Sequence, residues 1–157
     1  METDETPLDK MGFRKDGVVV KEITSKTIDL SIRNLLCDAT SEFKVDQAYE
    51  KYIQLLNWKL YEIEFSGQVV GCIGIELSAN SNECKIKHIA VCQNQRGKGI
   101  GSQMIDYVID THSLTYISAE TDSDAVNFYR NFGFQIWSLG EKYPGVERFL
   151  CEYKSKY

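Results

Sequence analysis

The segment 85–108 constrains the fold of this chain more than any other, because an apolar-centred strand, a glycine-rich turn and a helix follow one another there. The helical stripe begins at Ile100, inside the turn, so the turn lies at the helix N-terminus. The first amides of a helix have no acceptor within it and the helix dipole is positive there, so this end suits a phosphate. Arg96 and Lys98 add full positive charges. The turn contains three alternating glycines, which lack a Cβ and permit several amides to converge on one anion: Gly97, Gly99 and Gly101.

The spelling of the turn excludes two common phosphate-binding motifs. A P-loop requires Ser or Thr directly after its lysine, but Lys98 is followed by Gly99. A dinucleotide-binding turn requires a glycine three residues after its second glycine, and Ser102 and Met104 occupy the possible positions. The turn therefore matches neither motif.

Two motifs resemble those of the GNAT superfamily of N-acetyltransferases. Residues 96–101, Arg-Gly-Lys-Gly-Ile-Gly, resemble the family's Arg/Gln-x-x-Gly-x-Gly/Ala loop. Residues 123–134, Ser-Asp-Ala-Val-Asn-Phe-Tyr-Arg-Asn-Phe-Gly-Phe, resemble its later Ala-x-x-Phe-Tyr and Gly-Phe signature. The resemblance covers about 18–153, nearly the whole chain, although only these two motifs are specific.

The resemblance implies an α/β fold with a mixed, mostly antiparallel central sheet of about six to seven strands, flanked by about four helices. It also implies acetyl-CoA as co-substrate and no metal. In the family the glycine loop holds the pyrophosphate of coenzyme A, and the strand before it lines the pantetheine arm. The cofactor-binding residues implied in this chain are Ile89, Ala90, Val91, Arg96, Gly97, Lys98, Gly99, Ile100, Gly101 and Asn127.

The resemblance further implies that Tyr129 is the general acid, because it matches the family tyrosine whose hydroxyl faces the cofactor sulfur. The general base stays open. His88 has a suitable pKa range, Glu83 and Glu76 are alternatives, and a water chain without a dedicated base is another. Strand alternation groups His88 with Ile86 and Ala90, and Lys85 and Lys87 with Ile89 and Val91, but a bulge would reverse either assignment. His112 is expected to be a solvated residue at a helix end.

Hydrophobic periodicity predicts the other elements. Gly71 and Gly74 predict a bulge or a close backbone approach within their strand. Two pairs of residues are expected to cap helices: Ser25 or Thr27 the first, and Asp122 or Ser123 the last. The expected order is a strand at 18–24, helices over 28–36 and 45–56, strands at 58–65, 68–77 and 83–91, the loop helix, a strand at 115–119, a short helix, and a hairpin of 134–139 and 146–153 joined by 140–145.

Composition limits the class of protein. With 157 residues, 43% hydrophobic and 26% charged, the chain has the size of a single acetyltransferase domain at 15–157, after an acidic tail at 1–14 that is expected to be disordered. The net charge of −5 disfavours nucleic acid, and the apolar runs are too short for a membrane span. Five cysteines without a Cys-x-x-Cys pair argue against a disulfide framework or zinc and favour the cytoplasm.

The sequence therefore predicts an N-acetyltransferase that acts on a primary amine of a small molecule or peptide by direct attack. The alternatives are a non-catalytic acyl-CoA-binding regulatory module and a nucleotide-binding protein. Lys85 and Lys87 would suit an anionic acceptor, the link 38–42 is a candidate for substrate contact, and Tyr143 could close over a small acceptor. Three glutamates would instead suit a cationic acceptor: Glu62, Glu64 and Glu141. A homodimer through the final hairpin is possible, with Trp137, Phe149 and Tyr153 as interface candidates.

Overall fold

A nine-stranded sheet organises the protein in a computed structural model that describes residues 8–9, 12–15, 17–80 and 82–155. The strands are β1 (Leu8–Asp9), β2 (Gly12–Lys15), β3 (Val18–Glu22), β4 (Trp58–Phe65), β5 (Gln68–Leu77), β6 (Glu83–Val91), β7 (Tyr116–Asp122), β8 (Gln135–Tyr143) and β9 (Val146–Lys154). The α-helices are α1 (Leu30–Ala39), α2 (Val45–Gln54), α3 (Ile100–His112) and α4 (Val126–Phe132), and a 3-10 turn spans Gln93–Gln95. The spatial order is β1-β2-β3-β4-β5-β6-β7-β9-β8, and β6–β7 is the parallel pair among otherwise antiparallel neighbours.

The predicted α/β fold class and the four helices are confirmed, and β3 to β9 supply the expected strands. The sheet differs by β1 and β2, which extend its edge beyond β3; β1 and all but the last residue of β2 fall in the segment 1–14 that was predicted to be a disordered tail. These strands have two and four residues, too few for a periodicity to be visible in the sequence. Residues 1–7, 10 and 11 of the predicted tail lie outside the described residues.

Two apolar cores lie on opposite faces of the sheet. α3 and α4 share one core with Tyr61, whereas α1 and α2 share the other with Leu60. Because neighbouring residues of a strand point to opposite faces, the two helix pairs cover opposite sides. In the described part of the chain, the α1–α2 core includes no residue of β7, β8 or β9, the three strands on the far side of β6.

Both predicted helix caps are wrong. The N-cap of α1 is Asp29, whose Oδ2 accepts a hydrogen bond from the Ser31 amide at 3.1 Å. Ser25 instead bonds within its own turn, to the backbone of Thr27. At α4, the N-cap position is Ala125, without a side-chain cap, and Asp122 accepts from the amide of Asp124 at 3.0 Å. In both cases the short polar side chain accepts a hydrogen bond from an amide in the turn before the helix, and it therefore does not cap the helix itself.

The final hairpin is longer than predicted, because β8 continues to Tyr143 and leaves a turn at Pro144 and Gly145. The three residues predicted as interface candidates differ in their exposure. Trp137 is 53% exposed, whereas Phe149 and Tyr153 pack against the core on the α4 side. Dimerisation itself stays a prediction. Within the described ranges, no helix has the length and apolar character needed to cross a membrane.

Candidate active site

The strands β6 and β7 part in the middle of the sheet. They pair in parallel from Glu83 opposite Tyr116 to Ile86 opposite Ala119, and no further pair follows. β7 then continues with β9, while β6 continues with β5 to Val91. Residues 87–91 therefore have an open edge toward β7. Backbone amides and carbonyls at such an edge require partners, and an extended ligand can supply them.

A β-bulge marks the beginning of this opening. Gly74 pairs with His88 but Ile75 pairs with Ile86, so Lys87 is the extra residue on β6. The bulge places His88 and Ala90 on the side of α1 and α2: His88 contacts Tyr52 of α2, and Ala90 belongs to that core. The predicted alternation of His88 with Ala90 is thus observed after the bulge, but its predicted grouping with Ile86 is wrong, because the extra residue leaves Ile86 on the α3 side. The two other predicted arm-lining residues also pack on the α3 side: Ile89 and Val91.

The glycine loop carries unpaired amides. Gly97 and Gly99 have φ of +79° and +82°, and a Cβ on either would have no atom within 4 Å. In the described chain the amides of residues 97–102 have no hydrogen-bond acceptor, and the first bond of α3 runs from the Gln103 amide to the Gly99 carbonyl at 3.0 Å. Six consecutive free amides at a helix N-terminus fit an anion such as a phosphate.

Besides the positive charge predicted for phosphate binding, Arg96 makes structural contacts that the sequence did not predict. Its Nε donates to the carbonyl of Val91 at 3.0 Å, and its Nη2 lies 3.9 Å from the Asp38 carboxylate. The arginine therefore fastens the glycine loop to the end of β6. Lys98 is exposed and donates to Gln95 at 3.3 Å, so its charge is the more available of the two.

Tyr129 is a buried residue of α4 that points into the core, with the centre of its ring 5.1 Å from that of Phe134. Burial, with a smaller contribution from the nearby Cys151, raises the pKa of the Tyr129 phenol well above its usual value. Cys151 pairs with Ala119, the residue at which β6 and β7 part. The phenol therefore stays protonated, and it has no hydrogen-bond partner among the described residues.

The candidate bases are not equivalent. Burial, and then the charge of Lys87, lowers the pKa of His88 to about 4, so its imidazole is neutral near pH 7 and weakly basic. Its Nδ1 lies 2.5 Å from the Tyr52 hydroxyl. Glu76 lies 3.8 Å from the Lys87 ammonium.

Glu83 lies at the closed end of β6. At about 3.3 Å per residue it is roughly 20 Å from Ile89. It lines a separate cavity of about 750 Å³ together with Tyr116, Trp137 and Glu152. The structure therefore does not bring Glu83 to the opening, and its prediction as a catalytic base has no geometric support.

The remaining predicted residues have ordinary contacts. Asn127 is exposed and accepts a hydrogen bond from Arg130. His112 is half-buried, contrary to the prediction, and its Nε2 is 2.8 Å from the Tyr61 hydroxyl. Glu62 and Glu64, predicted to suit a cationic acceptor, share Lys21 at 3.8 and 2.9 Å.

Tyr52 and Trp58 are the site residues that the sequence did not identify. Tyr52 reaches His88, and the ammonium groups of Lys51 and Lys87 lie 5.2 and 5.4 Å from the centre of the Trp58 ring. Both aromatic residues belong to regular apolar stripes, so the periodicity of the sequence predicts only that they are buried in the core. No local signal distinguishes them, because their contacts depend on how α2 packs on the sheet.

Comparisons with known proteins agree with this geometry. A family model described as an acetyltransferase (GNAT) domain matches residues 57–136, about half of the chain. The chain belongs to the GNAT acetyltransferase family. A search of curated protein sequences gave no match.

Solved structures share the fold. A GNAT family acetyltransferase from Elizabethkingia anophelis with acetyl-CoA bound is 20% identical, with a TM-score of 0.68 over 90% of this chain and 100% of that one. An IAA acetyltransferase from Bacillus cereus is 21% identical, with a TM-score of 0.66 over 88% and 99%. A spermidine N-acetyltransferase chimera from Vibrio cholerae and hSSAT is 12% identical, with a TM-score of 0.63 over 88% and 96%.

Proposed function

We propose that this protein transfers the acetyl group of acetyl-CoA to a primary amine of a small molecule or peptide. One observation carries the proposal: the open edge of β6 leads directly into a loop with six unpaired amides at the start of α3. This combination fits a ligand with an extended polar arm and a phosphate group. The family membership and the acetyl-CoA bound to the Elizabethkingia structure support the same ligand.

The residues present fit acetyl-CoA. The amides of residues 97–102 would hold its pyrophosphate, with Lys98 adding charge, and the backbone of 87–91 would pair with its pantetheine arm. Bound there, acetyl-CoA would supply an activated acetyl thioester. In this proposal a backbone amide of this segment would donate to the thioester carbonyl oxygen as negative charge develops on it.

Tyr129 is the residue that supplies a proton in this proposal. Its phenol stays protonated because it is buried, and in this proposal it faces the sulfur of bound acetyl-CoA, as the resemblance of its motif implies. Protonation of the departing sulfur by one positioned hydroxyl would accelerate the step by roughly 10² to 10³. The amine loses its own proton to water as it attacks, because His88 is weakly basic and Glu83 is distant, and water returns a proton to the Tyr129 phenolate to complete the turnover.

Direct attack by the amine is favoured over an acetyl-enzyme. Burial raises the pKa values of Cys72 and Cys84 to about 12, so both remain unreactive thiols. Cys92, at the open end of β6, directs its thiol toward the Val69 carbonyl at 3.7 Å. Among the described residues, none of these three thiols has a hydrogen bond or ion pair to a base that would activate it.

A coupled assay tests the proposal. We expect purified protein to bind acetyl-CoA in calorimetry, ATP not to compete, and at least one amine of a panel containing polyamines, amino acids and peptide N-termini to cause CoA release. Tyr129→Phe should lower kcat about 100-fold with an unchanged Kd for acetyl-CoA. Equal binding of ATP would instead indicate a nucleotide-binding protein.

One observation favours a second candidate, a non-catalytic acyl-CoA-binding module. Each possible base is engaged or misplaced: His88 with Tyr52, Glu76 with Lys87, and Glu83 at the closed end of β6. Such a module would bind acetyl-CoA tightly and release no CoA with any amine. The same assay therefore separates the two candidates.

A further inference from the structure

The two histidines of this chain each contact a tyrosine hydroxyl, but through different ring atoms. Nδ1 of His88 lies 2.5 Å from the hydroxyl of Tyr52, whereas Nε2 of His112 lies 2.8 Å from that of Tyr61. The Tyr52–His88 pair lies beside the Lys87 bulge, where β6 and β7 part. Only this pair therefore borders the proposed active site.

Gly74 makes the Tyr52–His88 pair possible. It is the residue of β5 that pairs with His88, and a Cβ at Gly74 would lie 1.9 Å from the Tyr52 hydroxyl oxygen. The hydroxyl thus occupies the space that any other residue would fill with a side chain. The close approach predicted from this glycine is the docking of Tyr52 over the backbone of β5.

The direction of the hydrogen bond follows from burial. Tyr52 is 4% exposed, and desolvation raises its pKa well above the usual value, so it stays a phenol. In the described part of the chain, Nδ1 of His88 is the hydrogen-bond partner of this hydroxyl. A buried O–H that did not donate to Nδ1 would lose its acceptor. Tyr52 therefore donates, Nδ1 carries a lone pair, and the ring proton resides on Nε2.

We propose that Tyr52 is a positioning residue that fixes His88 in its neutral Nε2–H tautomer, so that His88 donates a hydrogen bond to an oxygen of a bound substrate and does not act as general base. The inference rests on the proposed function, because it assigns a role within that acetyl transfer. Nε2 of His88 has no hydrogen-bond partner among the described residues, and the ring is half-buried. It is the polar atom of the pair that remains for a ligand.

The surroundings keep His88 neutral. The residues that α1 buries on this side are apolar: Ile32, Leu35 and Leu36. The charge that acts on His88 is the Lys87 ammonium, which disfavours an imidazolium. From β5, Cys72 and Glu76 act on Tyr52 and oppose its ionisation. A neutral imidazole that donates a hydrogen bond is compatible with all of these groups. A His88 that accepted a proton would instead become an imidazolium next to the positive charge of Lys87, which is unfavourable.

Nitrogen-15 NMR of the intact protein tests the tautomer directly, because two imidazoles give a simple spectrum. We expect His88 to show protonated Nε2 and unprotonated Nδ1 from pH 5.5 to 8. Tyr52→Phe should mix the tautomers and raise the pKa of His88, since the bond to Nδ1 stabilises the neutral ring. Tyr61→Phe is the matched control, which should alter His112 and leave the His88 signals unchanged. A wild-type His88 protonated on Nδ1 would overturn the proposal even if Tyr52→Phe failed to fold.

Two substitutions of His88 separate a donor from a base. Gln places an amide N–H close to the position of Nε2 but cannot accept a proton, whereas Leu retains only bulk. We expect His88→Gln to keep kcat/KM within about tenfold of wild type and His88→Leu to lose about 100-fold, the usual effect of removing one positioned donor. Equal loss in both variants would overturn the donor role. If wild type turned over no amine, the proposed function would fail, and the NMR result would still decide the tautomer.

Discussion

A Cβ atom on Gly101 would lie 2.7 Å from the ring of Phe128. The two sequence motifs of this chain are therefore in contact, with the first turn of α3 packed on the aromatic ring of α4. Gly101 is buried and helical, so glycine is needed there because a side chain would collide with the Phe128 ring. Gly97 and Gly99, in the same motif, are needed instead for their positive φ. One motif thus uses glycine for two physical reasons.

Gly101→Ala should destabilise the protein through this contact. The Phe128 ring would have to move, and overpacking of this kind costs about 1–3 kcal/mol of unfolding free energy. Urea denaturation measures the change. Combining the substitution with Phe128→Leu should recover part of the loss, because the clashing ring atoms are removed. A double variant that is less stable than the sum of the single changes would contradict the contact.

Gly97→Ala should weaken acetyl-CoA binding about tenfold, because a side chain at φ near +80° is strained and the loop would relax and turn its amides away. Gly67→Ala is a matched control. Gly67 has φ +81° and open space around its Cβ position, but it lies in the β4–β5 turn. Both variants should lose about 1 kcal/mol of stability. Calorimetric titration decides the case: if Gly67→Ala weakened binding equally, the loop amides would have no special role.

The fold was predictable because its signals are local. The glycine loop and the period-two strands around Gly71 and Gly74 specify elements and order without tertiary information. Gly74 predicted a bulge or a close approach within β5, but the extra residue beside it lies on the neighbouring strand, at Lys87, and that position was not predictable because it is a property of the register between two strands. That one extra residue decides which face His88 occupies.

The parts of the candidate site that consist of backbone groups were easier to predict from the sequence than the contacts between its side chains. The free amides of residues 97–102 and the open β6 edge lie in the segments that the resemblance assigns to the cofactor, except that the Arg96 amide donates to the Gln93 carbonyl, and their binding role stays a prediction. Tyr52, by contrast, contacts His88 across 36 positions of sequence, and Arg96 divides its donors between Val91 and Asp38. Such pairings depend on the packing of helices on the sheet, which composition and periodicity do not encode residue by residue.

Glu62 should make the protein less stable as pH rises. Burial, and then its hydrogen bond and repulsion with Glu64, raises the pKa of Glu62 to about 7, whereas an unfolded glutamate titrates near 4.3. Between these values the folded state binds more protons than the unfolded state, so stability falls with increasing pH through this window. Glu62→Gln resembles the protonated residue and should be more stable than wild type by about 1 kcal/mol at pH 8, and by little at pH 5. Thermal unfolding at both values measures the difference.

Glu64 provides the opposite control. Its hydrogen bonds with Glu62 and Lys21 lower the pKa of Glu64, so its contribution to stability is present above the unfolded pKa and is lost as pH falls through the folded one. Glu64→Gln should therefore destabilise the protein at pH 8. If both variants shifted stability in the same direction at pH 8, the assignment of the two carboxylates would be wrong.

Charge reversal at Lys98 should separate binding from folding more cleanly than reversal at Arg96. Lys98→Glu removes one exposed contact, to Gln95, and should lower acetyl-CoA affinity about tenfold at low salt and less at 0.5 M salt, with an unchanged Tm. Arg96→Glu also breaks the 3.0 Å bond to the Val91 carbonyl, so it should lose affinity and about 1 kcal/mol of stability together. Lys26→Glu, at an exposed lysine before α1, controls for net charge. Calorimetry at two salt concentrations makes the comparison, and equal affinities for Lys98→Glu and wild type would show that phosphate binding depends on the amides alone.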